Sequence, residues 1–143
     1  MRKFERIKNS NAILPRRGTS YSAGYDIATY EQTTIAPFST AYIPTGLKVQ
    51  MPKDEFLMIV PRSSLFKKYH LMLQNQAAII DADFYNNADN EGHFMLAVLN
   101  LSTEPITVPA GEKIAQGIFM KYFATDDDEP IHQIRSGGFG STD

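Results

Sequence analysis

The residues at the end of the chain combine groups that could hold a nucleotide. The last nine residues are Arg135, Ser136, Gly137, Gly138, Phe139, Gly140, Ser141, Thr142 and Asp143. Arginine can bind a phosphate through two parallel hydrogen bonds, an aromatic ring can stack on a base, and the hydroxyls of Ser141 and Thr142 can donate to anionic oxygens. Glycines let the backbone approach a ligand closely. We expect a clamp over a ligand; the alternative is the frayed tail that is common at chain ends.

Two further segments carry groups that suit a phosphate or a metal ion. Asp26 follows Gly24 in a glycine turn, where its carboxylate could organise a hydrated metal or bond nearby backbone amides. Arg62, Ser63 and Ser64 stand at the start of a predicted short helix. Free N–H groups at such a start favour an anion, and helix capping also explains the serine.

A third segment places polar groups and a ring at the end of a predicted strand pair. Asn75 could read the edge of a base, Asp81 could orient a water molecule, and Phe84 could pack on a sugar. An Asx-rich hairpin turn explains the same residues in structural terms. Gln116 and Lys113 follow a tight turn and could add polar contacts from a fourth segment.

Composition limits the classes of ligand and compartment. The 143 residues are 43% hydrophobic with a net charge of -2, which fits one domain without broad attraction to nucleic acid or anionic membranes. Cysteine is absent, which excludes disulfides and thiol catalysis and suits a reducing cytosol. The longest apolar runs are far shorter than the roughly 18 residues of a membrane span. We expect a cytoplasmic protein that binds a mononucleotide, with no direct nucleic-acid or membrane contact.

Short alternating segments separated by turns predict an all-β barrel or sandwich. The predicted strands cover residues 32–35, 47–51, 55–60, 77–80, 94–101, 106–108 and 113–123. Proline at the second position and glycine at the fourth position of 108–111 match a type I turn. One short helix is predicted after Ser63, which can cap it, with Leu65, Phe66 and Tyr69 on one face.

The order and spacing of the chemical segments resemble those of the trimeric dUTP pyrophosphatases, or dUTPases. The five matching segments are 23–27, 61–65, 75–84, 111–116 and 135–143. Pro-Arg-Ser-Ser and Gly-Gly-Phe-Gly-Ser-Thr are their most specific strings, and the resemblance covers nearly the whole chain. It implies a distorted jelly-roll or β-clip barrel with one short helix and a flexible C-terminal arm. The barrel would occupy residues 1–124, and an acidic linker with the arm would occupy 125–143.

The resemblance implies hydrolysis of dUTP to dUMP and pyrophosphate. In the family, an aspartate at the place of Asp81 is the general base and orients a water for in-line attack on the α-phosphorus. Mg²⁺ bridges the three phosphates, and the equivalent of Asp26 holds a metal-bound water. Such an activity limits uracil incorporation into DNA and supplies dUMP for dTMP synthesis.

Substrate contacts also follow from the resemblance. The matching residues are Arg62, Ser63, Ser64, Asn75, Ile80, Phe84, Gln116, Arg135, Phe139, Gly140, Ser141 and Thr142. Phe139 is expected to stack on uracil, and Phe84 to pack under the deoxyribose and exclude a 2′-hydroxyl. Family members are homotrimers whose sites lie at subunit boundaries, so no single chain is expected to hold a complete site.

Besides Asp143, which replaces a common terminal glycine, the chain departs from the family pattern at three places. Phe84 stands where tyrosine is usual, and Ala78 stands where glycine is common. The loop formed by residues 85–91, called here the insertion loop, makes the spacing to Gly92 about six residues longer than usual. We expect the insertion loop to lie near the site, either as an inert extension or as a contact for substrate, metal or a regulatory protein.

Two other functions compete with dUTP hydrolysis. A dCTP deaminase shares the fold, but its deaminating glutamate corresponds to Ala97, which cannot shuttle protons. A regulatory protein-binding module would use the same fold with the insertion loop as its docking element. This second function is compatible with catalysis.

Overall fold

Antiparallel strands form most of the regular structure. A computed structural model describes residues 1–131, Ile134, Arg135, Gly137 and Gly138. The strands are β1 (Lys3–Arg6), β2 (Arg16–Arg17), β3 (Tyr25–Ala28), β4 (Thr33–Ile35), β5 (Thr40–Pro44), β6 (Leu47–Gln50), β7 (Glu55–Pro61), β8 (Leu71–Leu73), β9 (Ala78–Asp81), β10 (Met95–Asn100), β11 (Ile106–Val108) and β12 (Lys113–Lys121). Helix α1 spans Ser64–Tyr69, and a 3-10 turn spans Ala82–Phe84.

The strands form four antiparallel sheets. The largest has the order β2-β3-β12-β7-β9, and the others are β5-β10-β8, β1-β6 and β11-β4. Sequence neighbours are often not sheet neighbours, as expected when a chain wraps two layers around one core. The predicted all-β, jelly-roll-like class with one short helix is therefore confirmed. Within the part of the chain that the structure describes, no helix is long and apolar enough to cross a membrane.

Alternation along β7 shows how the core is built. Leu57 and Ile59 have no exposed surface, and the intervening residues are partly exposed, which is the period of a strand with one buried face. Gly117 lies opposite on β12, where an added Cβ would come within 3.0 Å of Leu57 Cδ1. This close packing joins β7 to β12. Gln116 lies on β12 and Arg62 directly follows β7. The packing of the two strands therefore also sets the relative position of these two residues.

Helix α1 begins where the sequence predicts, but its start differs from the prediction. Ser63 occupies the N-cap position with φ -56° and ψ -24° and makes no side-chain capping hydrogen bond. The predicted cap is therefore wrong, because a helical backbone at Ser63 does not turn the hydroxyl back toward the first free N–H groups. Leu65 is buried while Phe66 is 52% exposed and packs edge-on against His70.

The seven predicted strands are all present; β11 (Ile106–Val108) has the predicted bounds and the other six have shifted ends. The strand predicted from residue 94 begins at Met95, and the one predicted to residue 123 ends at Lys121. The sequence missed β1, β2, β3, β5 and β8, which are two to five residues long. Strands this short show only a weak period, although the three-residue strands β4 and β11 were predicted. The turn predicted at 108–111 lies one residue later. The amide of Glu112 donates to the carbonyl of Pro109, and Gly111 at the third position has φ 82°, as in a type II turn.

Candidate active site

A cleft of about 210 Å³ lies along the hairpin that ends in Asp81. We call it the hairpin cleft. Its lining residues are Asn75, Ala78, Ile79, Ile80, Asp81, Phe84, Phe94, Met95, Ala97, Arg135 and Gly138. The sequence predicted Asn75, Ile80, Asp81, Phe84 and Arg135 as site residues, but it missed Ile79, Phe94, Met95 and Gly138. Met95 begins β10 in a different sheet and Phe94 directly precedes it, so no signal near the hairpin marks them.

The hairpin exposes backbone as well as side chains. β9 is the edge strand of its sheet among the described residues and pairs with β7 alone. Its free edge therefore carries N–H and C=O groups that can bind a ligand. Gln76 takes φ 65° in the preceding turn, and the amide of Ala77 donates to the carbonyl of Asn75 at 2.7 Å. This tight turn places Asn75 and Ile80 on the same cleft.

Phe84 lines the hairpin cleft from a buried position. The 3-10 turn after β9 directs its ring inward, and the residue is 6% exposed. Ala97 supplies a methyl group to the cleft from β10. The cleft wall is thus apolar at the position that a deaminase would need to occupy with a carboxylate.

Arg135 places a guanidinium directly over two carboxylates. Its Nη2 lies 2.7 Å from Asp81 Oδ2, and its Nε lies 2.7 Å from Asp83 Oδ1. The arginine side chain is 16% exposed, whereas that of Asp81 is 51% exposed. The candidate base is thus accessible to solvent while it holds a cation. Asp83 was not predicted as a site residue, although its spacing of two from Asp81 was a usable signal.

A second cleft, of about 250 Å³, holds the predicted phosphate and metal residues. We call it the phosphate cleft. Arg62 Nε lies 3.2 Å from Asp26 Oδ1, so the two predicted groups form an ion pair. Gln116 Nε2 donates to the carbonyl of Pro61 at 3.5 Å, and Ser63 lines the same cleft. Ser64 follows at the start of α1 and is exposed.

An ion pair connects helix α1 to the turn that precedes β12. Lys68 Nζ lies 2.7 Å from Glu112 Oε1. Hydrogen bonding to Lys68 holds the pKa of the Glu112 carboxyl below its usual value. This contact fixes the helix beside the strand that carries Gln116.

The two clefts do not meet within one chain. Asp81 pairs with Phe56 at the first end of β7, while Arg62 follows Pro61 at the other end. Six residues of extended strand span about 20 Å. The structure therefore groups the hairpin residues with Arg135, and it groups Asp26, Arg62, Ser63 and Gln116 elsewhere. The predicted contacts Phe139, Gly140, Ser141 and Thr142 lie outside the described residues.

The insertion loop is a hydrogen-bonded element beside the hairpin cleft. Asn87 Nδ2 donates to the carbonyl of Phe84 at 2.8 Å, and Asn87 Oδ1 accepts from the amides of Asp89 and Asn90 at 3.0 Å. Gly92 N donates to Asn90 Oδ1 at 3.0 Å. The loop is thus held together by its own side chains. The bond from Asn87 to Phe84 keeps it next to the predicted site, as expected.

Lysine 48 anchors the insertion loop to the β1-β6 ribbon. Lys48 Nζ donates to Asn86 Oδ1 at 2.7 Å and lies 3.1 Å from Glu91 Oε1. Hydrogen bonding to Lys48 lowers the pKa of the Glu91 carboxyl. Tyr85 Oη donates to Glu5 Oε2 at 3.0 Å from the same loop. Burial, followed by the hydrogen bond to Glu5, raises the pKa of the Tyr85 phenol.

Comparison with known protein families shows which family the chain belongs to. The dUTPase family model matches residues 10–143. The chain belongs to the dUTPase family. Among curated dUTPases, it is 43% identical over 138 residues to deoxyuridine 5'-triphosphate nucleotidohydrolase of Lactococcus lactis, covering 96% of this chain and 92% of that protein. It is 34% identical over 146 residues to the tomato (Solanum lycopersicum) enzyme of the same name, covering 97% and 81%.

Solved dUTPases have the same fold. The dUTPase of Streptococcus mutans superposes with a TM-score of 0.84 at 38% identity, covering 86% of this chain and 98% of that one. The dUTPase of Staphylococcus bacteriophage 80alpha superposes with a TM-score of 0.76 at 19% identity, covering 92% and 97%. The second likeness shows the fold alone. Membership of the dUTPase family is thus supported by sequence and structure independently of the site geometry.

Proposed function

We propose that the hairpin cleft binds the nucleoside of dUTP and that Asp81 activates the attacking water. Hydrolysis of dUTP to dUMP and pyrophosphate is the activity of this chain as a member of the dUTPase family. The observation that carries the assignment of the site is the half-exposed carboxylate of Asp81 at the mouth of an apolar cleft. A carboxylate in this position can accept a proton from water beside a bound substrate.

The reaction requires one water and one proton acceptor. The water oxygen attacks the α-phosphorus as its proton passes to Asp81. The bond from the α-phosphorus to the oxygen that bridges to the β-phosphate breaks, and pyrophosphate leaves with the electron pair. The products are dUMP and pyrophosphate, so the activity limits uracil incorporation into DNA and supplies dUMP for dTMP synthesis.

In this proposal, the residues of the hairpin cleft select the base and the sugar of the substrate. The free edge of β9 around Ile80 and the amide of Asn75 offer donors and acceptors to uracil. The buried ring of Phe84 closes the cleft under the sugar, which leaves no room for a 2′-hydroxyl. The phenolic oxygen that tyrosine would supply is absent at Phe84, so exclusion of ribose rests on shape.

The phosphates belong to the phosphate cleft of a neighbouring subunit. Arg62, Ser63, Ser64 and Gln116 contact them in this proposal. Since Arg62 lies about 20 Å along β7 from the level of Asp81, a complete site needs two chains. Members of the family assemble into oligomers, and we assign a homotrimer with shared sites.

The C-terminal segment completes the substrate contacts. Phe139 stacks on uracil, and Arg135, Gly140, Ser141 and Thr142 close on the phosphates. This role supports the division into a barrel of residues 1–124 and a linker with arm of residues 125–143. The acidic linker, which contains a turn at 126–127, is exposed throughout residues 125–130.

Members of the dUTPase family are metal-dependent, and the phosphate cleft fits Mg²⁺ held mainly by substrate. Among the described residues, no group of three histidine, aspartate or glutamate side chains could cage an ion. Asp26 alone offers a carboxylate beside Arg62, which suits Mg²⁺ because this ion retains waters and binds few protein ligands. Bound Mg²⁺ would neutralise phosphate oxygens. Asp26 would orient one of its waters.

Docking of a regulatory protein is a second role for the insertion loop. The loop is held by hydrogen bonds among its own residues, with Asp89 exposed and Asn90 partly exposed. Deletion of residues 86–91 that abolishes partner binding but preserves turnover would separate docking from catalysis.

A cytoplasmic location is also part of the proposal and follows from the composition.

The proposed function is tested by pyrophosphate release with Mg²⁺ from dUTP, dCTP, dTTP and UTP side by side. We expect release from dUTP alone. Comparable turnover of UTP contradicts the role of Phe84 in excluding ribose. Absence of pyrophosphate release from all four nucleotides contradicts the assigned activity.

A further inference from the structure

The insertion loop begins directly after Phe84, the residue whose ring is proposed to exclude ribose. Phe84 is buried and ends the 3-10 turn Ala82–Phe84. A helical turn leaves its last carbonyl groups without partners inside the turn, and a buried carbonyl without a partner is destabilising. The phenyl ring carries no polar atom that could form a hydrogen bond. Its position therefore depends on packing and on the contacts of the Phe84 backbone.

Asn87 donates two hydrogen bonds to the carbonyl of Phe84. Its Nδ2 lies 2.8 Å from that oxygen, and its backbone amide lies 3.3 Å from it. Asn87 is itself buried, so water competes little for these bonds. Gly92 approaches the same oxygen from the far end of the loop with φ 94°, and an added Cβ would come within 2.9 Å of it. The insertion loop and Gly92 thus enclose the Phe84 carbonyl.

The acceptor half of the Asn87 side chain organises the loop itself. Its Oδ1 accepts from the amides of Asp89 and Asn90 at 3.0 Å, which is how an Asx side chain stabilises a turn. Its Nδ2 also donates to Asn90 Oδ1 at 2.8 Å. The two halves of the amide therefore differ in what they hold. The oxygen builds the loop, whereas the nitrogen joins the loop to Phe84.

Asn90 makes a comparable contact at the other end of the loop. Its Nδ2 donates to the carbonyl of His93 at 3.3 Å. The next residue, Phe94, lines the same cleft, but the barrel also holds it, because its amide donates to the carbonyl of Leu47 at 3.1 Å and its carbonyl accepts from Thr45 Oγ1 at 2.6 Å. Loss of the donor of Asn90 therefore leaves Phe94 in place.

We propose that Asn87 is a positioning residue for the choice of sugar. By holding the backbone of Phe84, it keeps the phenyl ring where a hydrogen atom at the 2′ position fits and a hydroxyl does not. An apolar wall rejects an added hydroxyl only weakly, so the wall excludes ribose only if it cannot recede. This inference rests on the proposed function, because it assumes that the hairpin cleft holds the deoxyribose.

Two replacements of Asn87 separate the donor from the acceptor. Asn87→Asp keeps an acceptor for the amides of Asp89 and Asn90 but cannot donate to Phe84, and Asn87→Ser makes the same separation without added charge. The readout is kcat/KM for dUTP and for UTP with Mg²⁺. We expect the dUTP to UTP ratio to fall by about tenfold in both variants, mainly through faster use of UTP. A purely structural role would lower both values alike, and an unchanged ratio in a folded variant overturns the proposal.

Asn90→Asp is the matched control. It adds the same charge to the same loop and loses the donor to His93, but it leaves both bonds from Asn87 to Phe84. We expect the wild-type ratio of dUTP to UTP. An equal fall in this variant would assign the effect to charge or to loop integrity and would overturn the role of Asn87. Residues 85–91, all of which the structure describes, lie outside the buried hydrophobic cluster, so we expect these variants to fold; if the added charge prevents folding of Asn87→Asp, Asn87→Ser decides alone.

The wild type in the same assay separates this inference from the proposed function. Absence of pyrophosphate release from dUTP contradicts the proposed function itself. Equal kcat/KM for dUTP and UTP contradicts exclusion of ribose by Phe84 and overturns the role of Asn87 with it. A selective wild type with equally selective Asn87 variants overturns the role of Asn87 alone.

Discussion

At the scale of single residues, the candidate base has a cation as its partner before substrate arrives. Arg135 holds Asp81 and Asp83 with two 2.7 Å contacts, yet the same guanidinium is the proposed ligand of the phosphates. Under the proposed function, binding of dUTP would exchange one set of anionic oxygens for another at Arg135. That exchange would free Asp81 to accept a hydrogen bond from water.

The variant Asp81→Asn should bind nucleotide and lose most of its turnover. Asparagine keeps the size of the side chain but cannot accept the proton of water, so we expect kcat to fall by about 10²–10⁴-fold. Affinity for a non-hydrolysable dUTP analogue should change little, as measured by calorimetry. Near-normal pyrophosphate release would remove Asp81 as the base.

We expect the folded protein to lose stability on mild acidification because of the buried imidazole of His93. Its Nε2 accepts a hydrogen bond from the amide of Gly46 at 2.9 Å. Burial lowers the pKa of the imidazole, although the charge of Glu91 opposes this shift. Because the folded pKa lies below the unfolded value, the contribution of neutral His93 is complete above about pH 6.5 and is lost as pH falls through the folded pKa.

Thermal unfolding of the wild type and His93→Gln between pH 7.5 and 5 tests this behaviour. Glutamine retains an acceptor but does not titrate. We expect Tm of the wild type to fall more steeply with pH than Tm of the variant. Parallel curves would show that another group carries the dependence.

At the scale of elements, the insertion loop is organised by one lysine from outside it. Lys48 joins Asn86 and Glu91 and lies 5.2 Å from the centre of the Tyr85 ring. The lysine side chain is 12% exposed, so its contacts are shielded better than an ordinary surface pair. The sequence shows an added loop, but Lys48 lies about 40 residues away from it and carries no local signal.

Replacing Lys48 with methionine should loosen the insertion loop more than the barrel. We expect faster amide hydrogen exchange across residues 85–91 and a loss of global stability within about 1 kcal/mol. Lys53→Met removes a lysine for which the structure gives no ion pair among the described residues, and it should leave the loop protected. Uniform loss of protection across the barrel would contradict a local role for Lys48.

At the scale of the whole molecule, the buried core and the proposed substrate contacts of the C-terminal segment lie in different parts of the chain. The buried hydrophobic cluster extends from Ala12 to Ala115 and includes none of the C-terminal residues that the structure describes. β12 ends at Lys121, where Tyr122 Oη donates to the carbonyl of Lys53 at 2.9 Å. Among the described residues, the last strand therefore ends before the acidic stretch begins.

Truncation after Ile134 should weaken catalysis more than folding. The shortened chain loses Arg135 and everything after it but keeps the buried core, so we expect Tm to change by less than about 3 °C. Loss of the transition-state contacts should lower kcat/KM by at least about 10²-fold. Calorimetry and dUTP kinetics on one preparation measure both effects, and unchanged kinetics would show that the segment has no part in catalysis.

The sequence by itself determined the β class, the family and the types of the functional groups. Alternation along Leu47 to Gln50 and the Pro-Arg-Ser-Ser string are local, so they can be read without coordinates. Only the tertiary structure separated Asp81 from Arg62, joined Lys48 to the insertion loop and placed Arg135 over two carboxylates. These arrangements depend on strand register and on contacts between residues far apart in sequence, which no local pattern encodes.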